Sequence, residues 1–503
     1  MHLFETLLVL LIGATGLSAV ARRLGIPYPT LLALGGAVLA FLPGTPRLNL
    51  PPELILTLFV APVLLDAAYD TSLRDLRANW QPVLSLVVVA VGLTTVAVAV
   101  AAHLLFPDLP WAAVIALGAL LAPPDAVAAL AVLQQVRPPH RIRKVLEGES
   151  LLNDASALLI YTLAVGTVAS GHFSVGGALP TFALVLVGSV VVGWLLSKVS
   201  GPLIRRIKDA PTSVILQFGT TFGVWLLAEQ LHLSPVITVV VFGLAAGQGP
   251  ALSARLRVST FPIWEAVTFM LNVFAFTLIG LHLGPLREQF DPSQLTAAFL
   301  LLGVVIAVRL LWALLYTVGQ RVKRRPDAAN APPPLSASDG LVIGWSGMRG
   351  IVTLAAALAL PSTFPGRDFI QLTAFVVVLG TLVLQGLTLK PLLTRLRLPN
   401  DRVVEHEINV ARSMTLKAAL KELKAEDSEA ALRLQQEYRE ALSLARSGED
   451  PHTTLDNSLR WRTLGASRTA LADLRRQGTI GDDAYRRVEE ELDWLELSAR
   501  SQD

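Results

Sequence analysis

The sequence predicts an all-α polytopic membrane protein with a small helical tail, and three observations carry that expectation. Of 503 residues, 53% are hydrophobic and only 16% are charged, and the mean hydropathy is +0.55. A soluble globular chain carries about 25% charged residues. One core cannot hide this much apolar surface from water, whereas a bilayer needs no such core. Second, the apolar residues fall into runs near the ~20 residues that a spanning helix requires. Third, the charges are segregated. Residues 398–503 hold 16 Lys/Arg and 21 Asp/Glu, a net −5, and the rest of the chain nets +8. Two domains follow: a transmembrane domain over 1–397 and a helical, cytoplasmic C-terminal domain over 398–503.

In chain order, thirteen spans are expected at about 3–20, 27–43, 53–70, 80–106, 110–133, 145–170, 177–199, 211–232, 234–249, 260–283, 293–319, 336–361 and 368–393. The ninth is short enough to read as one unit with the eighth. The first lacks the basic start and small-residue cleavage site of a signal peptide, because Arg22 and Arg23 follow it. Connections after odd-numbered spans hold 18 Lys/Arg and those after even-numbered spans hold Arg47, Arg287 and Arg367. The positive-inside rule then puts the N-terminus outside and the C-terminus in the cytoplasm of a cell that carries the protein in its plasma membrane. The basic excess therefore marks membrane flanks, and no nucleic-acid partner is expected. With no cysteine in the chain, disulfides and thiolate chemistry are excluded.

Two spans look broken. The fifth carries Pro123 and Pro124 inside an apolar run, and the twelfth carries three glycines around Arg349. Proline removes a helix hydrogen bond and clashes with the turn before it. Unwound backbone at membrane depth is tolerated only where it lines a cavity or is covered by protein. Spans five and twelve are seven apart, so they cross in opposite directions. This is the pattern of an inverted repeat, spans 1–6 against 8–13, and paired broken helices point to a transport site near the midplane.

Ionisable groups in spans are costly and usually functional. Asp125 follows the two prolines, Glu149 and Asp154 lie in span six, and Arg349 lies at the break of span twelve. Burial disfavours the charged form of a carboxylate, so such a group holds either a proton or a hard monovalent cation. Competition between the two for one carboxylate, in a site open alternately to each side, produces cation/proton exchange. Asp154 is the expected carboxylate, with Asp125 the second acidic ligand of the monovalent cation. Capping the second half of a broken helix is the competing role for Asp125. Asn153 offers an amide to unwound backbone, and Glu149 with Arg349 makes a plausible buried ion pair between spans six and twelve. Arg309 and Glu229 also fall within spans, where ion pairing or snorkelling is the default. No cofactor is expected beyond the transported ions.

At these residues the sequence resembles the monovalent cation/proton antiporter-1 family, the sodium/proton exchangers. Glu147 to Tyr161, EGESLLNDASALLIY, resembles the family's EGESLxND signature, and Gly344 to Leu360, GWSGMRGIVTLAAALAL, is similar to its GxRGxxxLALAL segment. Pro62 to Tyr69, Ala228 to Gly243 and Leu271 to Leu281 also match, and the resemblance runs to about Leu398. The resemblance implies a homodimer, each protomer with a dimerisation domain and a core of unwound helices that moves like an elevator. It implies Asp154 as the transport aspartate, with Asn153 beside it associated with electroneutral exchange. It also implies Asp125, Ser150 and Asp66 as direct or water-mediated ligands, and Glu149–Arg349 as the stabilising pair. One departure matters: where the family reads roughly Pro-Thr-Asp-Pro, this chain reads Pro123-Pro124-Asp125-Ala126. The hydroxyl is gone, and the Pro124 backbone carbonyl remains as the ligand from that position. The transported ion is expected to be Na⁺, with Li⁺ or K⁺ as alternatives.

The tail is expected to form a helix from Val404 to about Arg446 with a break near Asp427, a turn at Gly448–Pro451, and helices over 455–476 and from an Asp482 cap to near Arg500. A K⁺/H⁺ antiporter of the same fold and a cation channel are the alternative functions. An intramembrane enzyme is disfavoured because Ser150 and Ser156 have no neighbouring base.

Overall fold

The computed structural model describes residues 2–42, 51–136, 138–170, 175–249, 253–286, 291–323, 335–399, 401–449 and 455–499. Arg47, Arg137, Arg287, Arg324 and Arg325, used above for orientation, lie outside them. The chain forms two compact units, Met1–Pro399 and Asn400–Asp503. Both are helical, and the described residues contain no strand.

The first unit begins with α1 (His2–Leu24) and α2 (Tyr28–Ala40). The third span, α3 (Pro52–Tyr69), is one continuous helix with a π-helical turn at Leu56–Val60. A short α4 (Leu73–Ala78), capped by Ser72, leads to α5 (Trp80–Leu105), which has a second π-helical turn at Ser85–Ala90. Such turns free a carbonyl and recur at functional sites. Then come α6 (Trp111–Leu121), α7 (Ala126–Val136), α8 (His140–Ser170) and α9 (Val175–Arg206). Asp209 caps α10 (Ala210–Gln230), and Ser234 caps α11 (Pro235–Gly247). Spans eight and nine are thus two helices, separated by a turn in which His232 takes a positive φ of 54°. The unit closes with α12 (Ala254–Leu281), α13 (Pro292–Lys323), α14 (Ala337–Trp345), α15 (Ile351–Leu358) and α16 (Arg367–Leu396).

Eight of these helices are long and apolar enough to cross a membrane, and α2, α6 and α11 are shorter apolar helices. Their outer faces stay apolar: Val9, Leu104, Leu184, Val199 and Ile215 are all exposed. An apolar periphery suits lipid, where small residues let helices approach closely. A methyl group on Gly36 of α2 would overlap the Thr277 carbonyl of α12, and one on Gly280 of α12 would overlap the Ala33 carbonyl of α2. Similarly, a Cβ on Gly243 of α11 would come within 2.7 Å of the Ala68 Cβ of α3. The pairs α2–α12 and α11–α3 are therefore each fixed by a glycine contact.

In the second unit, α17 (Val403–Glu422) and α18 (Glu429–Ser447) pack together, as do α19 (Leu455–Arg476) and α20 (Asp482–Ala499). Ser428 caps α18 by accepting from the Ala431 amide at 3.2 Å, and Gly448 ends it at φ 84°. The break expected near Asp427 is present. Asp482 is already helical, rather than a cap. Part of the turn expected at Gly448–Pro451 lies outside the described residues.

Candidate functional site

The fifth span is broken at residues 122–125, between α6 and α7, and the twelfth at 346–350, between α14 and α15. The two breaks meet. The Asp125 amide donates to the Met348 carbonyl at 2.6 Å. Arg349, fully buried, sends Nε to the Leu121 carbonyl at 2.9 Å and Nη2 to the Ala122 carbonyl at 3.3 Å. Its Nη1 donates to the Gly347 carbonyl, and its amide donates to Thr381 Oγ1 of α16 at 3.0 Å. A helix C-terminus leaves carbonyls without partners and carries partial negative charge. The guanidinium has several donors in a rigid fork, so one side chain caps the end of α6.

Asp125 starts the other half-helix. Its Oδ1 accepts from the Val127 amide at 2.8 Å, so it does cap α7. A Cβ on Gly350 would fall onto the Asp125 carboxylate. Only glycine there lets the backbone before α15 approach the acid.

The helix α8 runs past both breaks. Asn153 Nδ2 donates to the Pro124 carbonyl at 2.7 Å, and its buried Oδ1 has no hydrogen-bond partner among the described residues. The Ser156 hydroxyl donates to the Val87 carbonyl at 2.9 Å, inside the π-helical turn of α5. Glu149 is 1% exposed and pairs with Arg309 of α13, Nη1 to Oε1 at 2.5 Å and Nη2 to Oε2 at 2.9 Å. Arg309 also donates to the Ile343 carbonyl at 3.1 Å. This corrects the expected Glu149–Arg349 pair. Carbonyls of the two breaks, Leu121 and Ala122 on one side and Gly347 on the other, engage all three nitrogens of Arg349, and α13 brings a second guanidinium to Glu149. Charge repulsion between two buried arginines is offset by the one acid.

In front of the breaks lies a cavity of about 870 Å³. Asp154, Asp125, Ser150, Asp66 and Pro124 line it; Asn153, Glu149 and Arg349 do not. The cavity reaches Arg143 and Lys144 in the first turns of α8. Arg143 and Asp154 are eleven positions apart, about 16 Å of helix. There Glu147 Oε1 meets Arg143 at 2.7 Å and Glu147 Oε2 meets Lys144 at 2.7 Å. Among the described residues no group of three or more His, Cys, Asp or Glu could hold a metal ion.

Residues 7–395 match the sodium/hydrogen exchanger transmembrane family. The chain belongs to the sodium/hydrogen exchangers. It is 31% identical to an uncharacterised Na⁺/H⁺ exchanger of Mycobacterium tuberculosis, over 97% of this chain and 96% of that one. It is 30% identical to a sodium, potassium, lithium and rubidium/H⁺ antiporter of Bacillus pumilus, over 87% of this chain and 69% of that one. A Na⁺/H⁺ antiporter of Halobacillus dabanensis, NhaH, is 30% identical over 78% of this chain and 98% of its own. The fold is similar to that of the sodium proton antiporter MjNhaP1 of Methanocaldococcus jannaschii, with a TM-score of 0.59 and 21% identity over 79% of this chain and 99% of that one.

Several residues of this exchanger's cavity escaped sequence reasoning: Tyr28, Asp70, Glu147, Glu265, Thr268 and Asn272. Glu265, Thr268 and Asn272 follow helical spacing on α12, which would have flagged one polar face. Nothing local flags Tyr28, an aromatic between two prolines.

Proposed function

We propose that the protein is an antiporter that exchanges Na⁺ for H⁺, both competing for Asp154, with Asp125, Ser150 and Asp66 completing the ion's surroundings directly or through water. The observation that carries this is the meeting of two broken helices beside a cavity that contains both Asp154 and Asp125. Interrupted helices and carboxylates at one place suit a small hard ion that exchanges its water shell for oxygens. Li⁺ and K⁺ are further substrates to test, since Pro124 offers no hydroxyl and a relative is named for four monovalent cations.

Charge balance supports electroneutral exchange. Two acids line the cavity at the breaks, Asp125 and Asp154, and behind them sit Glu149 and two fixed cations, Arg309 and Arg349. Over these five groups one Na⁺ or one H⁺ neutralises the remaining charge, so the two half-cycles carry the same net charge, whatever the other cavity acids contribute to both. Neutrality matters because a net charge at the bilayer centre is costly. Pairwise packing supports an inverted repeat: α2 on α12 and α3 on α11 exchange under a shift of seven spans, as do α5 on α6 and α13 on α14. We read thirteen spans, N-terminus outside, in the plasma membrane, in a homodimer with elevator-type alternating access. The cavity ends at Arg143 and Lys144, on the side that the positive-inside rule makes cytoplasmic, so this state faces inward.

Exchange driven by a pH gradient in proteoliposomes, with Na⁺, Li⁺ and K⁺ compared at several pH values, tests the function. Cation-dependent proton movement that leaves the membrane potential unchanged is the expected result. Cation flux that dissipates a potential without moving protons would make it a channel.

A further inference from the structure

We propose that Tyr28 is a cation-binding residue, its hydroxyl serving as a neutral oxygen ligand on the cavity wall that leads to Asp125. This rests on the antiport function above and names a binding group absent from the motifs that led to it.

Tyr28 is the first residue of α2, between the cap residue Pro27 and Pro29, and proline fixes φ on both sides of it. Its ring is held edge-on by Phe269 at 5.4 Å and by Phe276 at 6.4 Å between centroids. Arg22 lies over the Phe269 ring at 5.6 Å. The side chain is therefore positioned by the packing of α1 and α2 on α12, and it lines the same cavity as Asp125 and Asp154. Its hydroxyl is the one polar group that this side chain brings to the cavity wall. Among the described residues that hydroxyl has no hydrogen-bond partner.

Tyr28 is half-buried, and a tyrosine hydroxyl drawn away from bulk water normally finds a partner. Here the partner must be whatever fills the cavity: water, or the ion losing its water. The break itself has few free oxygens to offer. Pro124 has no side-chain hydroxyl and its carbonyl accepts from Asn153, while Asp125 Oδ1 accepts from Val127. A neutral phenol oxygen adds a ligand without adding charge, which preserves the charge balance of the core.

Tyr28→Phe removes the oxygen and keeps the ring contacts. In proteoliposomes it should raise KM for Na⁺ and Li⁺ by about five- to tenfold, leave kcat within about twofold, and leave the melting temperature unchanged. An unchanged KM overturns the proposal. So does a fall in kcat and melting temperature at constant KM, which would make Tyr28 a packing residue. Asp154→Asn, measured beside it, separates the two levels. If Asp154→Asn is inactive and Tyr28→Phe is wild-type, the role of Tyr28 alone fails. If Asp154→Asn exchanges normally, the antiport site itself fails.

Discussion

Glu149 of α8 and Arg309 of α13 form a two-pronged ion pair, 2.5 and 2.9 Å long, with both side chains almost wholly buried. It ties the helix that bears Asp154 to the helix packed against the second break. Removing one partner of such a pair leaves an uncompensated buried charge, at a cost of about 3–5 kcal/mol. Arg309→Ala and Glu149→Ala should both lower the apparent melting temperature in detergent strongly. The double replacement by leucines should lower it less than either single change. Equal melting temperatures for Arg309→Ala and the wild type would show that the pair does not hold the fold.

Arg349 has a different task, and a different substitution exposes it. Arg349→Ala leaves the Leu121 and Ala122 carbonyls buried without donors, at about 1–3 kcal/mol each. Arg349→Lys keeps the charge but loses the fork. Thermal unfolding should rank wild type above Arg349→Lys, and Arg349→Lys above Arg349→Ala.

The contrast between these arginines marks what the sequence makes legible. Proline and glycine are local signals, so the breaks at 122–125 and 346–350 could be read from residues alone. So could the eight long apolar helices among the described residues, because each apolar run is near the length that a span requires. The partner of Glu149 was not legible. Both arginines lie in apolar stretches, and only the packing of α13 beside α8 decides which reaches the acid. The role of Asp125 as a cap was legible as an alternative, since the residue after a helix break has few conformations open to it.

Gly350 tests the closeness of the two breaks. A methyl group there meets the Asp125 carboxylate, while its own backbone φ of −132° is open to alanine. Gly350→Ala should fold but lose exchange by about tenfold or more, the equivalent of at least ~1.4 kcal/mol in ion binding. Initial rates at saturating and limiting Na⁺ would show it, and a wild-type KM would place Asp125 away from the ion.

Outside the spans, Asp209 gives a pH dependence. Hydrogen bonds from Thr212, including its amide at 3.0 Å, hold the Asp209 carboxyl below the usual carboxylate range. A lowered folded value means that stabilisation is complete above the unfolded value near 4 and fades as pH falls through the folded one. The difference in melting temperature between wild type and Asp209→Ala should be constant from about pH 5 to 8 and shrink below about pH 4. A difference that persists unchanged in acid would remove the cap from the account.

Asp154 carries the central claim, because it lies in the cavity beside the meeting breaks. The most direct measurement is Na⁺-dependent proton movement in proteoliposomes of wild type and of Asp154→Asn, reconstituted at equal density and shown to melt alike. The account predicts exchange by the wild type and none by Asp154→Asn. Wild-type exchange by Asp154→Asn would contradict it.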